Sequence, residues 1–332
     1  MTVENIMPDV KGFMKSRVIL TAAELDFFTI LDRKPSTAKK LAEAEGIDPR
    51  ATARVLDCLV GMGFLEKDGG IYSTTPKGVL LSSCHPDTLL PMVCHMNDLW
   101  KSWSALTDTV RAGVNRRLRP GGSFSGEELN TFIGAMHAGG LRLSQAIADA
   151  YDTNRFNRLL DIGGASGTYT MAFLRKNPRL RAVIFDLEDV VPLSRERIRK
   201  AGFSGRVDFA IGDFYKDELP GGCDLALLSA IIHQNSASEN LALYRKVYRA
   251  LEPGGAILIR DHIMDESRTE PLEGALFAIN MLVNTQGGDT YTFRDVGDAL
   301  KKAGFCNIVL LRTGRKMDCL VEAQKPAQKP PD

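Results

Sequence analysis

The sequence lacks several features that would assign it to a specialised class of protein. It has only six cysteines among 332 residues, and no two of them form a C-x-x-C pair. This scatter argues against a disulfide framework or a zinc site and favours reduced thiols in the cytoplasm. No apolar run reaches about 18 residues, so we expect no transmembrane helix. The first residues, MTVENIMPDVKG, contain no basic segment followed by a long apolar one, so we expect no signal peptide.

An excess of charge of one sign is also missing. Lysine and arginine number 42 against 41 aspartates and glutamates, which leaves a formal net charge of +1. No overall field therefore favours nucleic acid or an anionic membrane, and we expect neither as a partner. Hydrophobic residues make up 44% of the chain and charged residues 25%, which is ordinary for a globular protein. A chain of 332 residues favours two domains over one.

The N-terminal part of the chain carries helical patterns followed by a hairpin pattern. One short helix ends at a turn, Asp48 and Pro49 open a second helix, and a strand follows at Ile71–Thr74. Helix, turn, helix and hairpin in this order predict a winged helix. A DNA-binding module normally loads its second helix with basic and amide residues, but this helix offers only Arg50 and Arg54 as cations. A structural or dimerising winged helix is therefore favoured over a DNA-binding one.

Composition suggests where the domains meet. The stretch 118–123 is rich in proline and glycine and predicts a boundary between a mainly helical domain, 1–118, and a second domain, 119–322. The tail 323–332 (AQKPAQKPPD) is expected to be disordered, because proline and charge leave it nothing to bury.

From residue 158 onward, strand patterns alternate with helix patterns. The seven strand candidates are 158–162, 182–186, 207–211, 224–232, 256–261, 308–312 and 319–322. Several are almost continuously apolar, as expected of strands that are buried on both faces. Alternation of this kind predicts an α/β fold with a doubly wound, mostly parallel sheet of seven strands. Ligands of such sheets bind at the carboxyl ends of the strands.

Three successive strand ends carry residues suited to a nucleoside. The first strand ends in a turn with Gly163 and Gly164, but the turn lacks the G-x-G-x-x-G spacing of a dinucleotide site. The second ends at Asp186, which can accept hydrogen bonds from both ribose hydroxyls. The third ends at Asp213 and Phe214, an acid for the adenine amino group and an aromatic ring for its face. Each acid alone could be a helix cap, but the glycine turn without dinucleotide spacing, together with Asp186 and Asp213, favours S-adenosylmethionine over NAD.

These residues belong to motifs that carry a resemblance, namely LLDIGGASGTY, VIFDLEDV, GDFY, LSAIIH, RALEPGGAILIRD and MLVNTQGG. Over residues 10–322, the chain resembles class I S-adenosylmethionine methyltransferases. More narrowly, it is similar to plant caffeate-type and bacterial acetylserotonin-type O-methyltransferases with an N-terminal winged-helix dimerisation domain. The resemblance implies S-adenosylmethionine as cofactor, S-adenosylhomocysteine as product, no metal, a small-molecule acceptor and a homodimer. It also places Leu187 in the cofactor site, and Ser229 where the family has Lys or Arg near the cofactor's methionine end.

A candidate base follows the fourth strand at His233. A histidine there could merely cap the next helix, but an imidazole with a pKa near 6.5 can take the proton of a phenol, whose pKa is about 10. The family's catalytic base matches His233. Of the family's two supporting acids, the first falls at Asp261, whose side chain is one methylene shorter than the Glu of the plant enzymes and is expected to orient His233 less directly or through water. The second falls at Thr290, where Asp289 could substitute. His262 is expected to point to the opposite face from Asp261 and to be structural.

The resemblance also implies an acceptor pocket lined by Phe132, Met136, Met281 and Asn284, although apolar residues at helical spacing are more often core. We therefore expect an O-methyltransferase that acts on a hydroxyl of a small aromatic or polyketide-like metabolite. Ser229 and the altered acids keep a C-methyltransferase or a non-methylating S-adenosylmethionine enzyme open as alternatives. A winged-helix DNA-binding regulator is a third alternative.

Overall fold

The structure, a computed structural model, describes residues 3–118 and 126–327. These residues form two compact units. The first contains residues 3–101 and Gly134–Gly139, and the second contains residues 102–118, 126–133 and 140–327. The units thus divide after Lys101 rather than at the stretch 118–123, most of which lies outside the described residues.

Helices make up most of the first unit. They are α1 (Val3–Glu24), α2 (Phe27–Arg33), α3 (Ala38–Glu45), α4 (Pro49–Gly61) and α5 (Leu90–Trp103, whose last two residues belong to the second unit), with a 3-10 turn at Val79–Leu81. Side chains cap the two helices that the sequence indicates. Thr37 Oγ1 accepts a hydrogen bond from Lys40 N at 3.3 Å, and Asp48 Oδ1 accepts one from Ala51 N at 2.7 Å. Each cap satisfies an amide that the first helical turn leaves unpaired.

A small antiparallel sheet completes this unit. Its strands are β1 (Ser36–Thr37), β2 (Leu65–Asp68) and β3 (Ile71–Thr74), and β3 lies in the middle. The helices and the sheet share one apolar core, whose largest buried members are Phe27, Phe28, Leu31, Leu41, Leu56, Leu59, Leu65 and Tyr72. The order of elements is the helix, turn, helix and hairpin that the sequence predicts.

The second unit is an α/β structure. Its helices are α6 (Leu106–Ala112), α7 (Gly126–Ala150, apart from Gly134–Gly139, which belong to the first unit), α8 (Thr168–Lys176), α9 (Val191–Lys200), α10 (Ala237–Ala250), α11 (Leu272–Asn284) and α12 (Phe293–Ala303). Its strands are β4 (Arg158–Ile162), β5 (Arg181–Asp186), β6 (Val207–Ile211), β7 (Cys223–Ser229), β8 (Leu251–Asp261), β9 (Ile263–Met264), β10 (Tyr291–Thr292), β11 (Cys306–Arg312) and β12 (Cys319–Gln324). The short strands β9 and β10 form a separate parallel pair.

Seven strands form the main sheet, in the order β11-β12-β8-β7-β4-β5-β6. All neighbouring strands from β8 to β6 are parallel, whereas β12 runs antiparallel to β8 and to β11. Apolar side chains of α10 and α12 pack on one face, and those of α7, α8 and α9 pack on the other. The predicted doubly wound, mostly parallel seven-stranded sheet is confirmed.

The fourth predicted strand is shorter than expected. It was expected to reach residue 232, but β7 ends at Ser229. The next residue, Ala230, has a φ of 59°, in the left-handed region that strands do not use. A 3-10 turn at Ile232–Gln234 follows, so His233 lies on this turn and not on the strand.

The last strand is longer than expected. Disorder was predicted from residue 323, but Ala323 is buried and pairs with Ile257 in β8. Lys325 N then donates to Gly255 O at 2.8 Å. Order therefore continues past the expected start of the tail, and residues 328–332 lie outside the described residues.

Candidate active site

The turn between β4 and α8 contains positions that require glycine. Gly163 has a φ of 66°, and a Cβ there would lie 2.6 Å from Ile231 Cδ1. A Cβ at Gly164 would lie 3.0 Å from the Asp161 carboxyl group. Gly167, with a φ of 70°, precedes the first residue of α8. The backbone can thus pack this closely only without side chains, which keeps the turn narrow at the end of β4.

Asp186, at the end of β5, is anchored to this turn. Its Oδ2 accepts a hydrogen bond from Ala165 N at 2.7 Å, and its Oδ1 accepts one from Leu187 N at 2.8 Å. Burial raises the pKa of Asp186, and these two amide hydrogen bonds oppose the shift. Each carboxylate oxygen has a second lone pair. The carboxylate is therefore held in place and can still accept two further hydrogen bonds.

Asp213 and Phe214 lie just beyond the end of β6. Asp213 accepts a hydrogen bond from Tyr215 N at 2.9 Å and pairs with Lys216 Nζ at 2.9 Å. Burial works against the charged form of Asp213, but the hydrogen bonds from Lys216 and the Tyr215 amide, together with the charges of Lys216 and Lys246, outweigh it and lower the pKa of Asp213. A Cβ on Gly163 would lie 3.6 Å from Phe214 Cε1, so the ring lies beside the glycine turn. The structure therefore brings the ends of β4, β5 and β6 together, as the sequence predicts.

Exposed apolar side chains border the same strand ends. Leu187 is 50% exposed and Ile211 is 60% exposed, although both are large and apolar. A flat aromatic base could cover them while its sugar reaches Asp186. The tight turn, the anchored carboxylate and this apolar border together fit the nucleoside of S-adenosylmethionine.

His233 and Asp261 form a buried pair. His233 Nδ1 lies 2.9 Å from Asp261 Oδ1 and 3.0 Å from Oδ2. Burial works against the Asp261 carboxylate, but the charge and hydrogen bond of His233, the charge of Arg260 and the hydrogen bond from the His262 amide together outweigh this and lower the pKa of Asp261. With Nδ1–H donating to the carboxylate, Nε2 is left to accept a proton. This contact is direct, so the expectation of an indirect or water-mediated contact was wrong. The shorter Asp261 reaches the ring because β7 and β8 are neighbours in the sheet.

Hydrogen bonds hold the turn that carries His233. Asn240 Nδ2 donates to Ile232 O at 2.8 Å, and Asn235 Nδ2 donates to Asn240 Oδ1 at 3.0 Å. The Tyr291 hydroxyl donates to Asn235 O. On the other side, Asp289 N donates to His233 O at 2.9 Å. The backbone on both sides of the imidazole is therefore fixed, which fixes the direction of the ring.

The second acidic position of the family supplies no carboxylate to the imidazole. Thr290 is buried, and the Asp289 carboxylate pairs with Arg268 at 3.2 Å. Asp289 thus approaches His233 only through its backbone amide. Across residues 3–118 and 126–327, Asp261 is the only carboxylate that bonds to the His233 ring.

His262 lies close to the same site, which strand alternation did not predict. The ring of Phe277, on α11, is 4.8 Å from the His233 ring and 5.1 Å from the His262 ring, between centroids. Alternation fails because β8 ends at Asp261, one residue earlier. Burial lowers the pKa of His262. Sequence reasoning also missed Phe277, since an aromatic residue in an apolar helix gives no distinct signal.

Ser229 and a residue that sequence reasoning overlooked are paired across β7 and β8. Arg260 Nε donates to Ser229 Oγ at 2.9 Å. Arg260 is only 5% exposed. Its signal in the sequence was a charge inside the apolar run AILIRD, because arginine is seldom fully buried.

The four predicted acceptor residues lie on two helices. On α11, Met281 is buried, and Asn284 Nδ2 donates to Asn280 O at 2.9 Å. On α7, Phe132 and Met136 lie one turn apart. Met136 belongs to the first compact unit, and the other three belong to the second.

Gly288→Ala should test how strictly the His233 turn is placed. A Cβ at Gly288 would lie 2.5 Å from His233 O, so the backbone of the turn would have to move. We expect kcat to fall about tenfold to a hundredfold, since small displacements of reacting groups are this costly, while affinity for S-adenosylhomocysteine is kept. Gly205→Ala is the control, because a Cβ there meets nothing within 4 Å. Wild-type kcat in Gly288→Ala would contradict the strict placement.

Comparison with known proteins places this chain in a family. Residues 103–306 match the family described as O-methyltransferase domain, and residues 9–83 match the O-methyltransferase dimerisation domain. The chain is 32% identical over 315 residues to the tetracenomycin polyketide synthesis 8-O-methyl transferase TcmO of Streptomyces glaucescens, covering 92% of this chain and 91% of the relative. It is 30% identical over 328 residues to acetylserotonin O-methyltransferase of Gallus gallus, covering 93% and 94%.

A solved structure gives the same result. Human N-acetylserotonin methyltransferase in complex with S-adenosylmethionine is similar with a TM-score of 0.86 and 27% identity, over 97% of both chains. Fold and family agree. The chain belongs to the S-adenosylmethionine-dependent O-methyltransferases that carry a dimerisation domain before the catalytic domain.

Proposed function

We propose that this enzyme methylates a phenolic or enolic hydroxyl of a small aromatic or polyketide-like metabolite, with His233 as the general base. The observation that carries the proposal is the His233–Asp261 pair, which orients the imidazole so that Nε2 can accept a proton. Relatives named for a polyketide and for acetylserotonin support the choice of an aromatic acceptor.

The chain's own residues would act as follows. S-adenosylmethionine, when bound, supplies an electrophilic methyl group on a positively charged sulfur. His233 Nε2 takes the hydroxyl proton as the acceptor oxygen bonds to the methyl carbon and the bond from that carbon to sulfur breaks. The imidazolium so formed is stabilised by the Asp261 carboxylate, which Nδ1–H already contacts. The proton then leaves to solvent, which restores the base.

The cofactor would be held by the strand ends described above. Asp186 accepts from the ribose hydroxyls, and Asp213 accepts from the adenine amino group. Phe214 and Leu187 would contact the adenine ring, and the Gly163–Gly164 backbone would hold the sugar and the sulfur-bearing chain. Ser229 lies at the methionine end. We assign the acceptor to residues Phe132, Met136, Met281 and Asn284.

Mass analysis of the product tests the reaction itself. Wild-type enzyme would be incubated with S-adenosylmethionine labelled in its methyl group and a panel of hydroxylated naphthalenes, anthraquinones and indoles. We expect one labelled methyl per product, attached to oxygen. A methyl on carbon would replace the O-methyl proposal by the C-methyltransferase alternative. Turnover of S-adenosylmethionine without methylation would favour the non-methylating one.

We further propose that the first unit is a winged-helix dimerisation unit. Helix α1 supports this with an apolar face of Ile6, Val10, Phe13 and Met14, each more than half exposed in the single chain. A stable monomer in sedimentation would contradict the homodimer. Duplex DNA binding at physiological salt would support the regulator alternative.

For the location we propose the cytoplasm, since all six cysteines are free, as in a reducing compartment. Separately, no helix in the described part of the chain has the length and apolarity to cross a bilayer.

A further inference from the structure

Arg260 is a buried cation whose contacts are all uncharged. Nε donates to Ser229 Oγ at 2.9 Å, and Nη1 donates to Met317 O at 2.7 Å. The guanidinium carbon lies 4.7 Å from the centre of the Tyr169 ring. Within residues 3–118 and 126–327, no carboxylate lies at ion-pair distance from Arg260. A buried charge is costly unless an opposite charge accompanies it, so the site is suited to an anion.

Two acids act on Arg260 through their charge without contacting it, namely Asp161 and Asp261, and the Asp261 carboxylate is bonded to His233. Asp161, on β4, accepts a hydrogen bond from Thr170 Oγ1 at 2.6 Å. Burial raises the pKa of Asp161 to about 6, and the charge of Arg260 opposes this shift only partly. Of the guanidinium's five N–H donors, the bonds to Ser229 and Met317 use two. Nη2 makes no hydrogen bond within the described residues and is not fully buried, so its donors remain available.

The order of strands shows which end of the cofactor would approach Arg260. From one edge inward, the order is β6, β5, β4, β7 and β8. Asp213, which we assign to adenine, follows β6, and Asp186, which we assign to the ribose, ends β5. The glycine turn follows β4, and His233 follows β7. The part of the cofactor farthest from adenine would therefore lie near β7 and β8. Ser229 and Arg260 are register partners at the ends of these two strands, and Tyr169 joins them from α8.

We propose that Arg260 binds the carboxylate at the amino acid end of S-adenosylmethionine, and that Ser229 and Tyr169 hold the guanidinium in position. The inference rests on the proposed placement of the cofactor. A guanidinium can donate two parallel hydrogen bonds to a carboxylate, which suits it to this ligand group. Ser229 then contributes by positioning Arg260, while the positive charge comes from the neighbouring strand.

Two ligands that differ only in this carboxylate test the proposal without measuring turnover. They are S-adenosylhomocysteine and its decarboxylated form, 5′-(3-aminopropylthio)-5′-deoxyadenosine, and Kd would be measured by titration calorimetry. We expect the wild type to prefer S-adenosylhomocysteine by about tenfold to a hundredfold, as hydrogen bonds to charged groups contribute. In Arg260→Met the preference should disappear, because affinity for S-adenosylhomocysteine falls to that of the decarboxylated ligand. Arg260→Lys should keep part of the preference, since it keeps the charge and loses the paired donors.

Arg158→Met is the matched control, because Arg158 lies at the start of β4 and pairs with Asp208 at 3.0 Å. It should keep the wild-type preference. If folded Arg260→Met keeps the wild-type preference for S-adenosylhomocysteine, the inference is overturned. If Arg260→Met does not fold, a wild-type preference in Arg260→Lys overturns it. A purely structural role for Arg260 would weaken both ligands equally. Failure of the wild type to bind either ligand would instead contradict the proposed cofactor site.

Discussion

Replacing His233 by alanine is expected to lower kcat by about a hundredfold to ten-thousandfold, the contribution of a positioned general base. Affinity for S-adenosylhomocysteine should be kept, because the His233 ring contacts Asp261 and Phe277, away from the three strand ends assigned to the nucleoside. Turnover of the acceptor identified by product mass analysis would give kcat, and calorimetry would give the affinity.

His262→Ala is the matched control for the loss of side-chain volume beside Phe277. Both imidazoles are buried and both contact Phe277, but His262 does not bond to the Asp261 carboxylate through its ring. A cavity beside Phe277 therefore arises in both variants, whereas only one of them loses the base. If His262→Ala lost as much activity as His233→Ala, packing and not proton transfer would explain the result.

The pH profile of His233→Ala adds a second check. A phenol with a pKa of about 10 ionises by itself at high pH and then needs no base. The rate of the variant should thus rise with pH, and the gap to the wild type should narrow. A gap that stays constant across the pH range would contradict the general-base role.

Asp261→Asn addresses the partner of the base. Its amide can turn a donor toward Nδ1, which would place the ring proton on Nε2 and remove the acceptor. We expect kcat to approach that of His233→Ala. The double variant should be no slower than His233→Ala, because residues that act as a unit are not additive.

Asp186→Ala is expected to weaken S-adenosylhomocysteine binding by about a hundredfold, since two hydrogen bonds to a charged group contribute about 1.5–3 kcal/mol each before the cost of rearrangement. Part of this loss would come from freeing Ala165 N and Leu187 N, which the carboxylate now anchors. A 2′,3′-dideoxyribose analogue of S-adenosylhomocysteine separates the two effects. The wild type should strongly prefer the hydroxylated ligand, and Asp186→Ala should bind both ligands alike.

Asp208→Ala is the control for this experiment. Asp208 lies on β6, is more than half exposed and pairs with Arg158. It should leave both affinities unchanged. Retention of the wild-type preference for the ribose hydroxyls in Asp186→Ala would refute the ribose contact.

The central sheet could be predicted because local patterns of apolar residues in the sequence identify its strands. Strands buried on both faces are nearly all apolar, so 158–162 was predicted with the bounds it has. The edge strand 207–211 is less buried, but its apolar residues predicted its bounds as well. The carboxyl ends of parallel strands meet at one edge, and this placed Asp186 and Asp213 beside the glycine turn in advance. These inferences need only periodicity and topology, which a single sequence contains.

The details around His233 could not be predicted because they depend on contacts between distant segments. The direct approach of Asp261 depends on where β7 ends, and this is set by the conformation of Ala230. The pairing of Arg260 with Ser229 depends on the register between two strands. The domain division after Lys101 depends on packing that composition does not encode.

The left-handed Ala230 has a consequence for engineering stability. An alanine in this conformation costs about 1–2 kcal/mol, so a glycine there is the substitution that a stability design would choose first. Glycine would also give the unfolded chain more conformational entropy, which lowers the free energy of unfolding by about 0.5–1 kcal/mol. The net gain in stability is therefore small. The glycine would also act as a hinge between β7, whose Ser229 bonds to Arg260, and the turn that carries His233. Ala230 works as a rigid spacer, and a stabilised variant of this enzyme is better sought by leaving it unchanged.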